Sequence, residues 1–346
     1  MKFAIVFGGI SFEHEISIVS AITLKKVLGG ENPLFIFFDF DKDFYLIPED
    51  KMNINFFSSK EYKKEKKLSL NSGFFETKVI FGKEKFSNLK VINLVHGGTG
   101  EDGVLFSLLE LYDFNVISPR REASVISLNK ELTKLYANSI GVETLDYEVL
   151  SRKGERILKK LSFPVIIKPL TLGSSLGVSI VEKESELEYA LDTAFQYDDM
   201  AIAEPFIEGV EEYNIAGTYT TRLVVSNIEK PVKDRILDFD GKYLDFSRSE
   251  TVQNADIDKN LRKDLIAKFT AIYSDLFHGS VIRCDFFVID GKVYLNEINS
   301  VPGSLSSYLF PDFAEILKSI EIPYKHEIPK SYQYIHQIKK MKGKEL

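Results

Sequence analysis

The sequence has a single cysteine, Cys284, in 346 residues. One thiol excludes an internal disulfide framework and a cysteine-rich zinc site, and it suits a reducing compartment. No window supplies the roughly 18–20 apolar residues of a membrane span. The opening run Phe3–Phe7 is one strand long, too short for the apolar stretch of a signal peptide, and Glu13 and Glu15 follow closely. A cytoplasmic protein with no membrane partner is therefore expected. Positive charge is also scarce, with 44 Lys and Arg against 51 Asp and Glu and a formal charge of −7. That excludes a general nucleic-acid binder but not a nucleotide site, because a few local cations and backbone N–H groups suffice to hold a triphosphate. No Ser-His-Asp or Cys-His arrangement can be assembled, and no Gly-Lys-Ser/Thr marks a P-loop.

The composition present, 44% hydrophobic and 27% charged, is that of a globular chain. Its length implies two or three domains of roughly 100–150 residues. Phe3–Phe7 reads as a strand ending in Gly8-Gly9, followed by helical spacing over Glu15–Leu28 and a stop at Gly29-Gly30. Leu34–Phe38 is a second strand. Lys51–Lys90 is polar and lysine-rich and reads as a solvated face or loop. Val91–Val95 is a strand leading into the Gly-rich loop His96–Gly103 and a helix over Val104–Tyr112. This β-loop-α repetition predicts an open parallel sheet, with both Gly-rich loops at the carboxyl ends of its strands, where ligands gather. Pro119 marks a break. Beyond it come strands at Pro164–Pro169, Val178–Val181 and Met200–Glu204, then strands near Glu212–Tyr219 and Leu223–Ile228. A polar loop at Asp238–Asn254, a helix at Asp258–Phe277 and a hairpin at Val281–Asn299 complete the reading.

The hairpin carries the most chemistry. Alternation puts Arg283 and Asp285 on one face of its first strand, and Glu297 and Asn299 on one face of its second. Two carboxylates and an amide oxygen are hard ligands suited to Mg²⁺, and Arg283 beside them supplies a fork for phosphate oxygens. A two-residue Asp290-Gly291 turn with regular pairing would set the two pairs on opposite faces. The metal site therefore predicts an odd loop, such as three residues with Gly291 in a left-handed bulge. The adjoining Asn299–Ser304 stretch brings Gly303, whose backbone N–H can face a developing oxyanion. Lys168 at a strand end, followed by Gly173–Gly177, forms a plausible phosphate clamp of point charge and backbone donors. Glu13 and His96 sit in the two Gly-rich loops, each open to a purely structural explanation when taken alone.

Taken in order, the stretches Phe7–Ser20, His96–Gly103, Phe163–Gly177, Glu204–Gly209, Lys242-Tyr243, Arg283–Asp285 and Glu297–Gly303 resemble the D-alanine–D-alanine ligases of the ATP-grasp superfamily. The resemblance runs from residue 7 to about 311. It implies an α/β fold, α+β in parts, with an N-terminal open parallel α/β sheet over residues 1–118. A central domain, 119–207, and a C-terminal catalytic domain, 208–346, would clamp ATP between them. By motif, Lys130, Lys168 and Lys242 would contact ATP, Glu204 and Ile207 would line the adenine pocket, and Glu211 would hold the ribose. Asp285, Glu297 and Asn299 would bind two Mg²⁺, with Mn²⁺ as a substitute. Glu13 would hold the first D-alanine ammonium with His96 close by, while Arg283 and Gly303 stabilise the acyl phosphate and tetrahedral intermediate. A Glu13–Ser174–Tyr243 hydrogen-bonded set would serve the attack of the second D-alanine, and Tyr308 and Leu309 would border its carboxylate. Tyr243 favours an amine over a hydroxy acid. The resemblance further implies two D-alanine molecules and ATP as partners, a homodimer, and a product used in peptidoglycan precursor synthesis.

Three positions depart from the family pattern. Pro205 replaces a common Lys, Asn129 stands in a usual Met-Asp-Lys, and Tyr308 replaces a Ser that helps bind the second carboxylate, a task that could pass to Ser306 or Ser307. Rival readings are a superfamily enzyme joining other substrates, a nucleotide-binding regulator without catalysis, and a structural protein. Retention of Arg283, Asp285, Glu297 and Asn299 together argues against the regulator, and the ordered motifs argue against a structural protein.

Overall fold

The computed structural model describes residues 1–231, 251–323 and 331–342. Three β-sheets organise the chain. In the first, β1 (Lys2–Gly8), β2 (Leu34–Phe38), β7 (Leu89–Asn93) and β8 (Asn115–Ile117) run parallel. Six of the seven β1 residues are buried, as continuous apolar strands covered on both faces should be.

The sheet is larger than the parallel reading allowed. β3 (Phe44–Ile47), β4 (Lys66–Asn71), β5 (Phe74–Val79) and β6 (Gly82–Ser87) extend it antiparallel, in the order β6-β5-β4-β3-β2-β1-β7-β8. Much of the lysine-rich stretch is therefore strand rather than loop. Only Leu68, Phe75 and Thr77 of β4–β6 are buried, so the alternation that marks a half-covered strand is sparse beneath the lysines.

The second sheet, β11-β10-β12-β9, is antiparallel and built from β9 (Glu148–Ser151), β10 (Val165–Pro169), β11 (Ser179–Val181) and β12 (Met200–Pro205). The third, β14-β13-β15-β16, contains β13 (Glu211–Tyr219), β14 (Leu223–Glu229), β15 (Val281–Ile289) and β16 (Lys292–Asn299). Two helices, Arg121–Leu128 and Lys130–Ser139, send Ala123 and Ala137 into the core beneath this third sheet, with Phe269 from the helix Lys259–Tyr273. The chain then returns to the first sheet, where Val301, Leu305, Leu309 and Phe313 pack with Ile5 and Phe7. That return brings the segment after β16 against the loops after β1 and β7.

The β15–β16 turn is not odd. Asp290 and Gly291, at φ 50° and 76°, form a two-residue turn that pairs Ile289 with Lys292. Both left-handed conformations match the type I′ geometry that an Asp-Gly pair favours. The parity is corrected further along the strand. Phe286 pairs with Leu295, but Asp285 pairs with Glu297, leaving Asn296 as a β-bulge. The bulge lies beside Leu295, where β16 is held on its other side by Glu143 and Thr144. One extra residue in the strand thus does what an extra residue in the loop was expected to do.

Phe269 is fully buried, and its ring lies where a Cβ on Gly217 would stand, at 2.5 Å. Such a site collapses poorly around a void. Phe269→Ala should lose about 3–5 kcal/mol, read as a lower urea midpoint with unchanged slope. A loss below about 1 kcal/mol would show that this core relaxes freely.

Candidate functional site

The bulge places Arg283, Asp285, Glu297 and Asn299 on one face. Arg283 Nε and Nη2 donate to the two oxygens of Asp285 at 2.7 and 2.8 Å. Asn299 Nδ2 donates to Asp285 Oδ2 at 3.0 Å and reaches Glu297 Oε1 at 3.5 Å. Burial, with the neighbouring Glu297 and Glu212, pushes the Asp285 carboxyl up to about 7 against the pull of Arg283. Three carboxylates, Asp285, Glu297 and Glu212, thus neighbour one arginine on this face. Among the described residues no three His, Cys, Asp or Glu side chains form a metal cluster. The hard-donor set is two carboxylates and an amide.

Across from it lie cations. Lys168, on β10, binds Glu204 Oε2 at 2.6 Å, and Lys134 binds Glu204 Oε1 at 2.5 Å. Burial opposes charge on Glu204, yet Lys168 and Lys134 hold its carboxyl at about 2. Burial likewise opposes the charge of Lys168, and Glu204 restores it. Lys130 is pushed down by burial; its Nζ donates to the Leu172 carbonyl at 2.5 Å, tying it to the Gly/Ser loop. Asn129 Oδ1 accepts from the Glu131 and Leu132 N–H groups at the start of that helix, the capping work an Asp would do. Lys134 escaped the sequence reading, although it stands four residues after Lys130, one turn along the same helix face.

The ribose assignment meets a register problem. Glu211 is exposed and paired with Lys230 at 2.5 Å, on the same side of β13 as Tyr213. Its neighbour Glu212 is half-buried and lies with Asn214 on the Asp285 side, since Asn214 pairs with Asp285. Glu212 is close enough to act on both Asp285 and Lys168. Of two adjacent glutamates, only the second faces the cations. Ile207 lies half-buried just past β12.

The third wall comes from the first sheet. Glu13 is buried ahead of the helix His14–Val27, and Ser174 Oγ donates to its Oε1. A Cβ on Gly97 would come within 2.5 Å of Glu13 Oε2, and one on Gly173 within 3.1 Å of Oε1. The Gly97 loop, at a left-handed φ of 63°, approaches the carboxylate more closely than a Cβ would allow, and the Gly173 loop leaves a Cβ only a tight fit. Burial and the nearby Glu101 raise the Glu13 carboxyl, against Ser174, His96 and Lys130. His96 Nε2 meets Ser20 Oγ at 2.9 Å, and Ser20 Oγ also accepts from the Ser304 N–H at 3.2 Å. His96 therefore reaches the segment that Gly303 opens. Ser304, Leu305 and Ser306 there take left-handed φ of 48–52°.

Tyr308 is buried and its hydroxyl donates to Glu229 at 3.3 Å. Leu309 is fully buried in the first core. The hydroxyls of Ser306 and Ser307 are buried with no hydrogen-bond partner among the described residues. Lys242 and Tyr243 lie outside the described residues.

Comparison with known proteins identifies the family. The model described as D-ala D-ala ligase N-terminus matches residues 2–119, and that described as D-ala D-ala ligase C-terminus matches 137–318. This chain belongs to the D-alanine–D-alanine ligase family. The D-alanine–D-alanine ligase of Sulfurovum sp. is 51% identical over 347 residues, covering 99% of this chain and 100% of the relative. That of Helicobacter hepaticus is 50% identical over 351 residues, with the same coverage. The crystal structure of the D-alanine–D-alanine ligase from Helicobacter pylori is 46% identical, with a TM-score of 0.82, covering 94% of this chain and 100% of that one. The mixed α/β fold is that of these ligases.

In this family member, Glu204→Gln should leave two buried ammonium groups without their counter-charge, a loss of about 3–5 kcal/mol. The folded carboxyl lies below its ordinary value of 4.5, at about 2. Its contribution is therefore complete above the unfolded value and disappears as pH falls through the folded one. Urea unfolding of both proteins should show the full difference at pH 7 and a shrinking one below pH 4.5. A difference that stays constant across that range would remove the ion pair as its cause.

Proposed function

We propose that this ligase transfers the γ-phosphoryl of ATP to one D-alanine carboxylate and then joins the acyl phosphate to the amine of a second D-alanine. The observation that carries this reading is the bond from Ser174 to Glu13, which joins the loop after β10 to the start of the first sheet's leading helix. An anionic Glu13 in that position can receive the ammonium of the first D-alanine. Its carboxylate would then point toward the cations Lys130 and Lys168, where the γ-phosphate also belongs.

A carboxylate alone resists acylation because its leaving group would be oxide. Phosphorylation supplies a stable leaving group, and cations neutralise the charge spreading over the transferred group. Lys168 and Lys130 are suited to the phosphates, Glu204 and Ile207 to the adenine, and Glu212, rather than Glu211, to the ribose. Arg283 and the Gly303 N–H are suited to the oxyanion of the tetrahedral intermediate. Lys242 and Tyr243, outside the described residues, keep the roles that the family resemblance implies for them, an ATP contact and the set with Glu13 and Ser174.

The donor chemistry fits Mg²⁺. Asp285, Glu297 and Asn299 offer oxygens, and a divalent cation would offset the carboxylates gathered around the buried Asp285. Asn299 now turns its Nδ2 toward both carboxylates, so a half-turn of the amide would present Oδ1 instead. Asp285, Glu297 and Asn299 would hold the two Mg²⁺, whose charge would offset that of the phosphates. We divide the chain at 1–118, 119–207 and 208–346, one sheet to each part. We also read it as a homodimer in the cytoplasm, the dimer resting on family resemblance alone. No helix among the described residues is long and apolar enough to cross a membrane.

Phosphate release with ATP, Mg²⁺ and D-alanine alone should proceed, with the dipeptide detected by mass. Turnover only after D-lactate or D-serine is added would overturn the choice of second substrate. Arg283→Ala should cut kcat by about 10²–10³, the effect of removing one oxyanion donor. An unchanged kcat would displace Arg283 from that role.

A further inference from the structure

Phe12 is a large apolar side chain left 63% exposed, in the loop after β1 and next in sequence to Glu13. Its ring meets that of Tyr197 edge-on, with centroids 5.1 Å apart and planes at 78°. Tyr197 belongs to the part of the chain built around the second sheet. Its N–H donates to the Ala194 carbonyl at the end of the helix Leu187–Ala194, which anchors it. Tyr197 also lies over the end of the Gly/Ser loop, where a Cβ on Gly177 would stand 2.8 Å from its ring. The next residue, Asp198, accepts from the N–H and hydroxyl of Thr171 at 2.9 and 2.7 Å. Residues 197 and 198 therefore hold both ends of the loop that carries Ser174.

That loop needs holding. Ser174 and Ser175 have φ of 53° and 58°, in the left-handed region that side chains disfavour. Contacts from outside the loop must select this conformation. The same conformation brings the Ser174 hydroxyl onto Glu13. Two contacts thus join the same two segments, a polar one from Ser174 to Glu13 and an aromatic one from Tyr197 to Phe12. Because Phe12 and Glu13 are adjacent, a shift of either loop strains both contacts together.

We propose that Phe12 is a positioning residue whose edge-on contact with Tyr197 clasps the Gly/Ser loop over Glu13 and thereby sets the affinity for the first D-alanine. The inference rests on the two-D-alanine reading above, in which Glu13 receives the first ammonium. When the loop stands away, Glu13 loses the Ser174 hydroxyl, and the apparent affinity falls with the fraction of molecules that remain closed. A mostly solvated ring suits a clasp, since it can part from Tyr197 and re-form the contact as substrate enters and product leaves.

The test is steady-state kinetics with D-alanine varied widely enough to resolve its two KM values, with urea unfolding alongside. The full chain is compared with Phe12→Ala, Phe12→Tyr, Ser174→Ala and the Phe12→Ala/Ser174→Ala double variant. The unmodified chain must form the dipeptide and Ser174→Ala must raise the first KM; failure of either would sink the parent reading rather than this one. Phe12→Ala should raise the first KM about fivefold, within the range of one edge-on aromatic pair. The second KM and kcat should stay within about twofold, because saturating substrate selects the closed loop. The urea midpoint should hardly move, since most of the ring is already solvated. Phe12→Tyr, which keeps the ring edge, should behave as the unmodified chain. The double variant should be no worse in first KM than Ser174→Ala, because Phe12 acts through that bond. An unchanged first KM, an equal rise in both KM values, additive losses, or a lowered urea midpoint with the first KM intact would each overturn the proposal. Should Phe12→Ala fail to fold, Phe12→Leu, which keeps apolar cover but no ring, decides by the same split of KM values.

Discussion

Asn296 has no partner across the β15–β16 ladder, and that one unpaired residue decides which way four functional side chains point. The Asp-Gly turn fixes the register at the tip of the hairpin, and its two-residue geometry alone would set Glu297 beside Cys284, on the side away from Asp285. A strand cannot turn its side chains gradually, because their period is two residues. Only an insertion of one residue reverses the parity, and it must fall between the turn and the site. The bulge supplies it next to the point where Glu143 and Thr144 hold β16. Lys168 Nζ reaches Asn296 Oδ1 at 3.5 Å, so the bulged residue also faces the cationic wall that the site needs.

The charges around this face are arranged for ligands rather than for the stability of the protein alone. Glu204 is saturated by two lysines and stays ionised despite complete burial. Lys130, by contrast, is held mainly by a backbone carbonyl, and Asp285 shares its neighbourhood with two further carboxylates. Buried ions seldom repay their desolvation through mutual attraction. Cations left partly uncompensated on one side and anions on the other are what a triphosphate with its metal ions complements. The glycines at 97 and 173 fit the same economy of space. A methyl group at 97 would strike the Glu13 carboxylate, and one at 173 would crowd it.

Much of this was legible in the sequence because the chemistry sits in short, contiguous stretches. Lys168, Arg283, Asp285 and Glu297 were found from residue type and spacing, Glu13 and Ser174 through the family resemblance, and the structure brings Glu13 to Ser174 and Lys168 to the hairpin residue Asn296. What escaped was set by parity and by contacts between distant segments. Glu211 and Glu212 are identical in type and adjacent in position, so only the pairing of Asn214 with Asp285 tells which faces the site. The bulge at Asn296 has no composition of its own. The antiparallel strands β4–β6 were hidden by lysines on their exposed face, which read as a solvated face or loop when taken as composition.

Arg283 shows why position along this network matters more than charge. Its guanidinium has five N–H donors in a rigid plane, and two of them are taken by Asp285 in a fork. The fork consumes part of the arginine's donor capacity, but it also fixes the plane in which the other three lie. Asn299 and the β15–β16 register hold Asp285 itself in place. An oxyanion arriving there meets donors already oriented, so little reorganisation is needed when charge develops. A lysine at 283 would keep the charge and lose that plane, since its ammonium rotates freely about a flexible stem. The orientation of Arg283 is therefore inherited from Asp285, and that of Asp285 from the strand register. The register in turn rests on the single residue that the ladder leaves out.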